Sequence, residues 1–277
     1  MFGPSRPLVL GKTAEAAAYA DLLEQIKAAF CREFLSPNGR LGPNTQTSYV
    51  LALMFELLPP EQRDGAAARL AADVRQRGNH MTTGFLGASF LPHVLSSHGY
   101  LGVAYDLLEQ EAYPGWLYPV TKGATTIWER WDGLKPDGTF QDVGMNSFNH
   151  YAYGAIGEWL YRVVAGLEID PDAPGYKRIV FHPRPGGQLE YASASHDSLY
   201  GRIESGWARD EGVLQVAVTV PPNTEGVVYL PAKSAAEITE GGLALNEAEG
   251  VEEVWQEQGD VLVRVGSGQY NFSIEAA

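Results

Sequence analysis

Gln46 to Leu58, QTSYVLALMFELL, decides how the first half of the chain folds. Tyr49, Val50, Leu51, Leu53, Met54, Phe55, Leu57 and Leu58 leave no polar side of useful width, so a helix here has to be buried nearly all round. Its neighbours differ. Ala14 to Leu35 carries Tyr19, Leu22, Leu23, Ile26, Phe30 and Phe34 at three- and four-residue steps, which predicts an amphipathic helix with Thr13 as N-cap and Pro37 beyond its end. Glu61 to Arg77 is striped in the same way, with Ala67, Leu70, Ala71 and Val74 inward and Gly78 at the C-cap. Thr83 to His98 is again mostly apolar, with Pro92 marking a kink or a late start. Tyr100 to Glu111 is striped, and Asn149 to Ala165 closes the series as an apolar helix ended by Gly166. Polar-faced helices therefore alternate with buried ones. A simple bundle would stripe every helix; alternation predicts two concentric layers, an α/α toroid whose inner helices and loops line a central pocket.

Past Gly166 the periodicity changes to two. RIVFHP, GRIESGWARD, VLQVAVTVPP, GVVYLP, VLVRV and YNFSIE alternate β-branched and polar residues between Gly-, Asn- and Asp-rich turns, the pattern of an antiparallel β-sandwich. The segment IDPDAPGY reads as the linker. The expected division is a helical domain over 1–170 and a β-sandwich over 171–277.

The 277 residues are 45% hydrophobic and 19% charged, enough for one large or two ordinary cores. A net charge of −14 argues against nucleic acid or an anionic membrane surface as partner, since both require a basic footprint. No run of apolar residues is long enough to span a membrane. The opening MFGPSRPLVLGKT has no apolar core of a signal peptide, so a chain complete at Met1 would be cytoplasmic. Cys31 is the single cysteine, which rules out an intrachain disulfide, and it is expected to be a small buried residue. His80, His93 and His98 lack acidic or Cys partners at ligand spacing, so neither a metal nor a cofactor is expected, although HMTTG at His80 to Gly84 can face a pocket.

The chemistry concentrates in the long aromatic loop Tyr113 to Phe148 and just beyond it. GATTIWERWD, Gly123 to Asp132, sets Glu129 between Trp128 and Trp131, with Thr126 before it and Arg130 beside it. NSFNHYAYG, Asn146 to Gly154, places His150 among Asn149, Tyr151 and Tyr153. Flat rings stack on sugar faces, amides and hydroxyls bind sugar hydroxyls, and a carboxylate can move a proton to or from water. Each residue also has a plain structural reading. Glu129 could pair with Arg130 on an exposed loop, and His150 could be satisfied by a backbone carbonyl. Of Trp128 and Trp131, one is expected to be a sugar platform and the other a loop anchor. Asp132, Asp137, Asp142, Glu109 and Glu111 are the nearby carboxyls, and none is marked as a second catalytic group. In the sandwich, His182 and His196 look isolated.

NTQTSYVLAL, TTGFLGASFLPHVLSSHG, YDLLEQEAYPGWLYPVTKGATTIWERWDG, SFNHYAYGAIGEWLYRVVAGL and PGYKRIVFHPRPGG together resemble the C-terminal half of bacterial α-L-rhamnosidases of glycoside hydrolase family 78. The resemblance resumes at LYGRIESGW and VTVPPNTEGVVYLP and covers essentially the whole chain. It implies part of an (α/α)6 six-hairpin barrel followed by a β-sandwich. It also implies inverting hydrolysis of terminal α-L-rhamnosyl groups on a rhamnosylated glycan, with Glu129 as general base and His150, Trp128, Trp131, Asn149 and Thr126 in the sugar pocket. The family's general acid is another Glu on earlier barrel helices, and nothing in residues 1–120 resembles that segment. The expectation is a general-base half-site with little turnover alone and self-association through the open half of the barrel. Two rival readings stay open: a non-catalytic carbohydrate-binding module, and an enzyme completed by homodimerisation.

Overall fold

The computed structural model describes residues 9–275. The N-terminal stretch read for a leader lies largely outside them. The chain divides into two compact units, Met1–Ala155 and Ile156–Ala277.

Among the described residues the first unit holds seven α-helices: α1 Thr13–Phe34, α2 Gln46–Met54, α3 Pro60–Gln76, α4 Phe85–Ala88, α5 Leu91–Ser97, α6 Leu101–Leu108 and α7 Leu117–Thr121. Helix α2 is the buried one. Thr45 caps it by accepting from Ser48 N–H while the Ser48 hydroxyl accepts from Thr45 N–H. Tyr49, Val50, Ala52 and Leu53 are sealed against α3, α4 and α5. It stops at Met54, four residues before the expected Leu58, and Phe55 is left half exposed. Helix α3 buries Ala66, Ala67, Leu70, Ala71 and Val74 on one face, as its stripe requires. The single helix expected over Thr83 to His98 is two, broken at Ser89 and Phe90, because Pro92 is admissible only in the first turn of a new helix. The expected loop Tyr113 to Phe148 contains α7 and a 3₁₀ turn at Val143–Met145.

Helix α1 corrects the reading most. It forms where expected, but its N-cap is Lys12, without a side-chain bond, and not Thr13. Ala16 is its one buried residue, while Tyr19, Leu22, Ile26 and Phe34 are 41–57% exposed. The apolar stripe is real and uncovered. Cys31 is half-buried and not fully buried, its thiol donating to the Leu57 carbonyl at 3.3 Å, and burial raises its pKa.

The second unit begins with α8, Ile156–Trp159, followed by a π turn, Leu160–Val164. The continuous helix expected over Asn149 to Ala165 is therefore absent. Its first residues are irregular, and Ala152–Ala155 is a single 3₁₀ turn of the first unit. Eleven strands follow in two sheets, ordered β1-β2-β6-β10-β9 and β3-β4-β5-β11-β7-β8. The first sheet comprises β1 Leu167–Ile169, β2 Arg178–Phe181, β6 Glu225–Leu230, β9 Val251–Glu257 and β10 Asp260–Val265. The second comprises β3 Tyr191–Ser198, β4 Gly201–Asp210, β5 Val213–Val220, β7 Ile238–Glu240, β8 Leu243–Ala244 and β11 Gly268–Glu275. All pairs are antiparallel except β2 with β6. The core lies between the sheets, with Phe181, Val228 and Val263 facing Ile203, Val216 and Phe272. Ser205 and Trp207 tie the π-turn end to this core, donating to the carbonyls of Ala165 and Val164 at 2.6 and 2.7 Å. His182 and His196 are not isolated: His182 lies 3.5 Å from Asp260 and stacks on Tyr229, and His196 packs on Tyr176.

The segment between β1 and β2 is held by Asp170, whose carboxylate accepts from Arg178 Nε at 2.5 Å and from Asp172 N–H at 2.8 Å. The Arg178 bond holds its pKa below the ordinary 3.8, against the opposing effect of burial. A depressed carboxylate contributes stability that is full above the ordinary value and is lost as pH falls through the folded value. Asp170→Asn should lower the urea midpoint of the sandwich at neutral pH, and the gap from wild type should close below pH 3.8. Parallel midpoint-against-pH curves for the two proteins would contradict this.

Candidate active site

The two motifs are laced together by backbone. Glu129 N–H donates to the Ser147 carbonyl at 2.9 Å, and Ser147 N–H donates back to Glu129 Oε2 at 2.8 Å. His150 N–H donates to the Ile127 carbonyl at 2.8 Å, and the Thr126 hydroxyl to the Phe148 carbonyl at 2.5 Å. This cross-bonding explains why Asn149 to Tyr151 are not helical: the His150 amide is engaged with the other motif and not with a carbonyl one turn back. The Glu129 carboxylate is half-buried, and the Ser147 amide is its hydrogen-bond donor among the described residues.

Aromatic packing fixes the surroundings. Trp131 stacks on Tyr153 with centroids 3.7 Å apart and meets Trp116 edge-on at 5.4 Å. The Trp116 indole N–H donates to the Tyr153 carbonyl at 3.0 Å. Trp128 is buried edge-on against Phe148 and covers Gly133, where a Cβ would come within 3.2 Å of its ring. His150 lies parallel to Phe85 of α4 at 5.1 Å and to Tyr151 at 5.3 Å. The Ala152 N–H points at its Nδ1 at 3.3 Å, so the ring proton of the neutral imidazole belongs on Nε2, ready to donate.

A cavity of about 320 Å³ opens among Gly84, Phe85, Tyr113, Glu129, Arg130, Trp131, Asp132, Met145 and Tyr153. Of the residues singled out from the sequence, Glu129 and Trp131 line it. His150 backs it through Phe85, while Trp128 anchors the loop. Thr126 is exposed with its hydroxyl committed to Phe148, and Asn149 is exposed, its backbone N–H donating to the Ser147 hydroxyl. Tyr153 of the second motif lines the wall as well. Phe85 and Tyr113 were missed as wall residues; they are aromatics at otherwise ordinary core or loop positions, and only their convergence marks them. Gly84, the end of HMTTG, does reach the wall.

Asp132 is the second carboxylate of the cavity. Arg130 Nε donates to its Oδ1 at 3.4 Å and Gln141 Nε2 to its Oδ2 at 2.5 Å. Both oxygens accept these bonds, which tie Asp132 to its own loop. Burial first, and Asp132 among the lesser causes, raises the phenol pKa values of Tyr113 and Tyr153, which therefore remain hydrogen-bond donors. No group of three or more His, Cys, Asp or Glu side chains suited to a metal occurs among the described residues.

Residues 7–164 match the bacterial α-L-rhamnosidase six-hairpin glycosidase domain, and residues 166–244 match the bacterial α-L-rhamnosidase C-terminal domain. The chain is 42% identical to an α-L-rhamnosidase of Streptomyces avermitilis over 96% of its own length and 25% of that protein's. It is 38% identical to one of Formosa agariphila over 95% and 28%. Among solved structures, the Streptomyces avermitilis α-L-rhamnosidase complexed with L-rhamnose superposes with a TM-score of 0.90 at 39% identity, covering 98% of this chain and 25% of that one. The chain thus spans about a quarter of the length of these relatives. With both halves matched in order and the fold in common, it belongs to the bacterial α-L-rhamnosidase six-hairpin glycosidase family.

Proposed function

We propose that the helical unit carries the general-base side of an inverting α-L-rhamnosidase site. The observation that carries this reading is Glu129: a carboxylate on a cavity wall, held at one oxygen by the Ser147 amide and bordered by the Trp131–Tyr153 stack. In the reaction Glu129 takes a proton from water, the water oxygen attacks the anomeric carbon from the face opposite the leaving group, and the glycosidic bond breaks. Trp131 offers the sugar an apolar wall and Arg130 a donor. We assign His150 Nε2–H to a sugar hydroxyl on the Phe85 side, with Trp128, Asn149 and Thr126 shaping the loop around it. The substrate class, a terminal α-L-rhamnosyl group on a glycan or glycoside, follows from the family and from the relative solved with L-rhamnose.

The leaving oxygen needs a proton, and an inverting site draws it from a second carboxyl group about 6.5–9.5 Å from the base. We assign Asp132, bonded to Arg130 and Gln141, to bracing the loop rather than to that role. We place the acid outside this cavity's walls, which makes the chain by itself a half-site. The purified chain should release no nitrophenol from nitrophenyl α-L-rhamnoside above background, and Glu129→Gln should make no difference. When the chain is joined to the segments that supply the acid, Glu129→Gln should cost about 10²–10⁴-fold. Turnover by the chain alone that disappears in Glu129→Gln would place the acid within these residues and overturn the half-site reading.

The uncovered stripe of α1 favours self-association as a second proposal. Tyr19, Leu22, Ile26 and Phe34 form one exposed apolar face, the sort of surface that a soluble monomer usually covers. Light scattering should show mass rising with concentration, and Leu22→Glu with Ile26→Glu should return the chain to a monomer. A wild-type chain that stays monomeric throughout would remove both self-association and the dimer-completed enzyme. A folded monomer that binds rhamnose saturably without turnover, even with those segments restored, would leave the binding-module reading.

A further inference from the structure

The outer face of the six-stranded sheet carries a groove that no part of the proposed reaction uses. Its volume is about 570 Å³, within the range of small-ligand sites. Strand register explains how it is built. Ser193, Gly206, Ala217 and Asn271 lie side by side across β3, β4, β5 and β11, and Ser195, Glu204, Thr219 and Gln269 form the next rung on the same face. Rungs of one face are about 7 Å apart and four strands span roughly 14 Å, which suits a short saccharide. The middle of the first rung is bare, and its ends carry a hydroxyl and an amide.

Gly206 is the unusual choice. Glycine weakens a strand interior and often marks a place where a ligand or another backbone comes close. A Cβ at this position would lie 3.1 Å from Ser193 Cβ and 3.2 Å from the Ala192 carbonyl oxygen. Together with Ala217 it keeps the floor low between polar walls, and Tyr161 adds an aromatic ring.

The second rung is organised by charge. Arg202 donates from Nε to Glu204 at 2.9 Å, from one terminal nitrogen to Ser195 at 2.8 Å, and from the other to Asp197 at 3.4 Å. The Thr219 hydroxyl donates to the other Glu204 oxygen at 3.1 Å. The cation is shared between two carboxylates, so the groove has no free positive charge for an anion. Nor does it hold the large apolar side chains around which a protein interface builds its core. What it presents is a flat array of hydroxyls, amides and a cluster of internally bonded charges over a small-residue floor.

We infer that this groove is a second binding site, distinct from the Glu129 cavity, for a neutral hydroxyl-rich oligosaccharide. The inference rests on the proposed function only in taking glycans as the chain's working partners. Its role is to hold the polymer to which the reacting sugar is attached.

The test is a ¹⁵N–¹H NMR titration of the whole chain with methyl α-L-rhamnoside, with short neutral galactan, arabinan and glucan oligosaccharides, and with hexagalacturonate. At least one neutral oligosaccharide should saturably shift the side-chain amides of Asn271 and Gln269, with a dissociation constant of about millimolar order. Asn271→Ala, which removes one hydrogen-bonding group, should weaken it about fivefold, and Ala217→Leu, which fills the floor, by at least as much. Glu129→Gln should leave these shifts in place. If no neutral oligosaccharide moves the Asn271 and Gln269 signals, or only hexagalacturonate does, the inference is wrong. The Trp131 indole signal reads the other site separately: its response to methyl α-L-rhamnoside with a silent groove overturns this inference alone, while groove shifts with a silent Trp131 support it and count against the proposed function.

Discussion

Two amide hydrogen bonds between Glu129 and Ser147 hold the candidate site together. One joins backbone to backbone, and the other runs from the Ser147 amide to the carboxylate itself. A charge-assisted bond of this kind is stronger than a neutral one and leaves the acceptor little rotational freedom. Because Glu129 and Ser147 are far apart in sequence, the pair also closes the long loop between them. The carboxylate is positioned by the same contact that folds the loop, so its placement does not depend on a flexible side chain finding its own rotamer.

Around this contact the aromatic residues act as spacers. The Trp131–Tyr153 stack and the edge-on Trp116 set one wall, and Phe85 beneath His150 sets another. Phe85 comes from α4, a helix of four residues that exists because the chain restarts at Leu91 before Pro92. A proline that splits a helix thus determines which ring backs the imidazole. Asp132, bound by Arg130 and Gln141, braces the loop.

Much of this could be read in the sequence, and the rest was hidden for specific reasons. All six quoted period-two runs became strands, because alternation with β-branched residues reports a half-buried sheet directly. Strand β3 was missed because YASASHDS offers alanine and serine in place of apolar bulk, and β9 because a register shift between Arg264 and Val265 on its partner breaks the alternation. Helix α1 was found but its covering was not: periodicity shows that a stripe exists and is silent about what lies against it. The helix expected from Asn149 fails because the bond from His150 N–H to Ile127 is a long-range contact that overrides local propensity. The site residues Glu129 and Trp131 were visible as a motif. Tyr153 stood in the second motif; Tyr113 and Phe85 were not visible, since an aromatic at a core or loop position carries no mark of the cavity it will face.

The most direct measurement is a crystal structure of the chain soaked with L-rhamnose. The account requires the sugar against the Trp131–Tyr153 wall, with an ordered water on the side of the anomeric carbon facing Glu129. That water should lie about 2.6–3.2 Å from a Glu129 oxygen, the reach of a general base. The Ser147 amide should still be bonded to the carboxylate. A sugar bound in this cavity with Glu129 swung away from the anomeric carbon, or with no room for water between them, would contradict the assignment of Glu129 as the base.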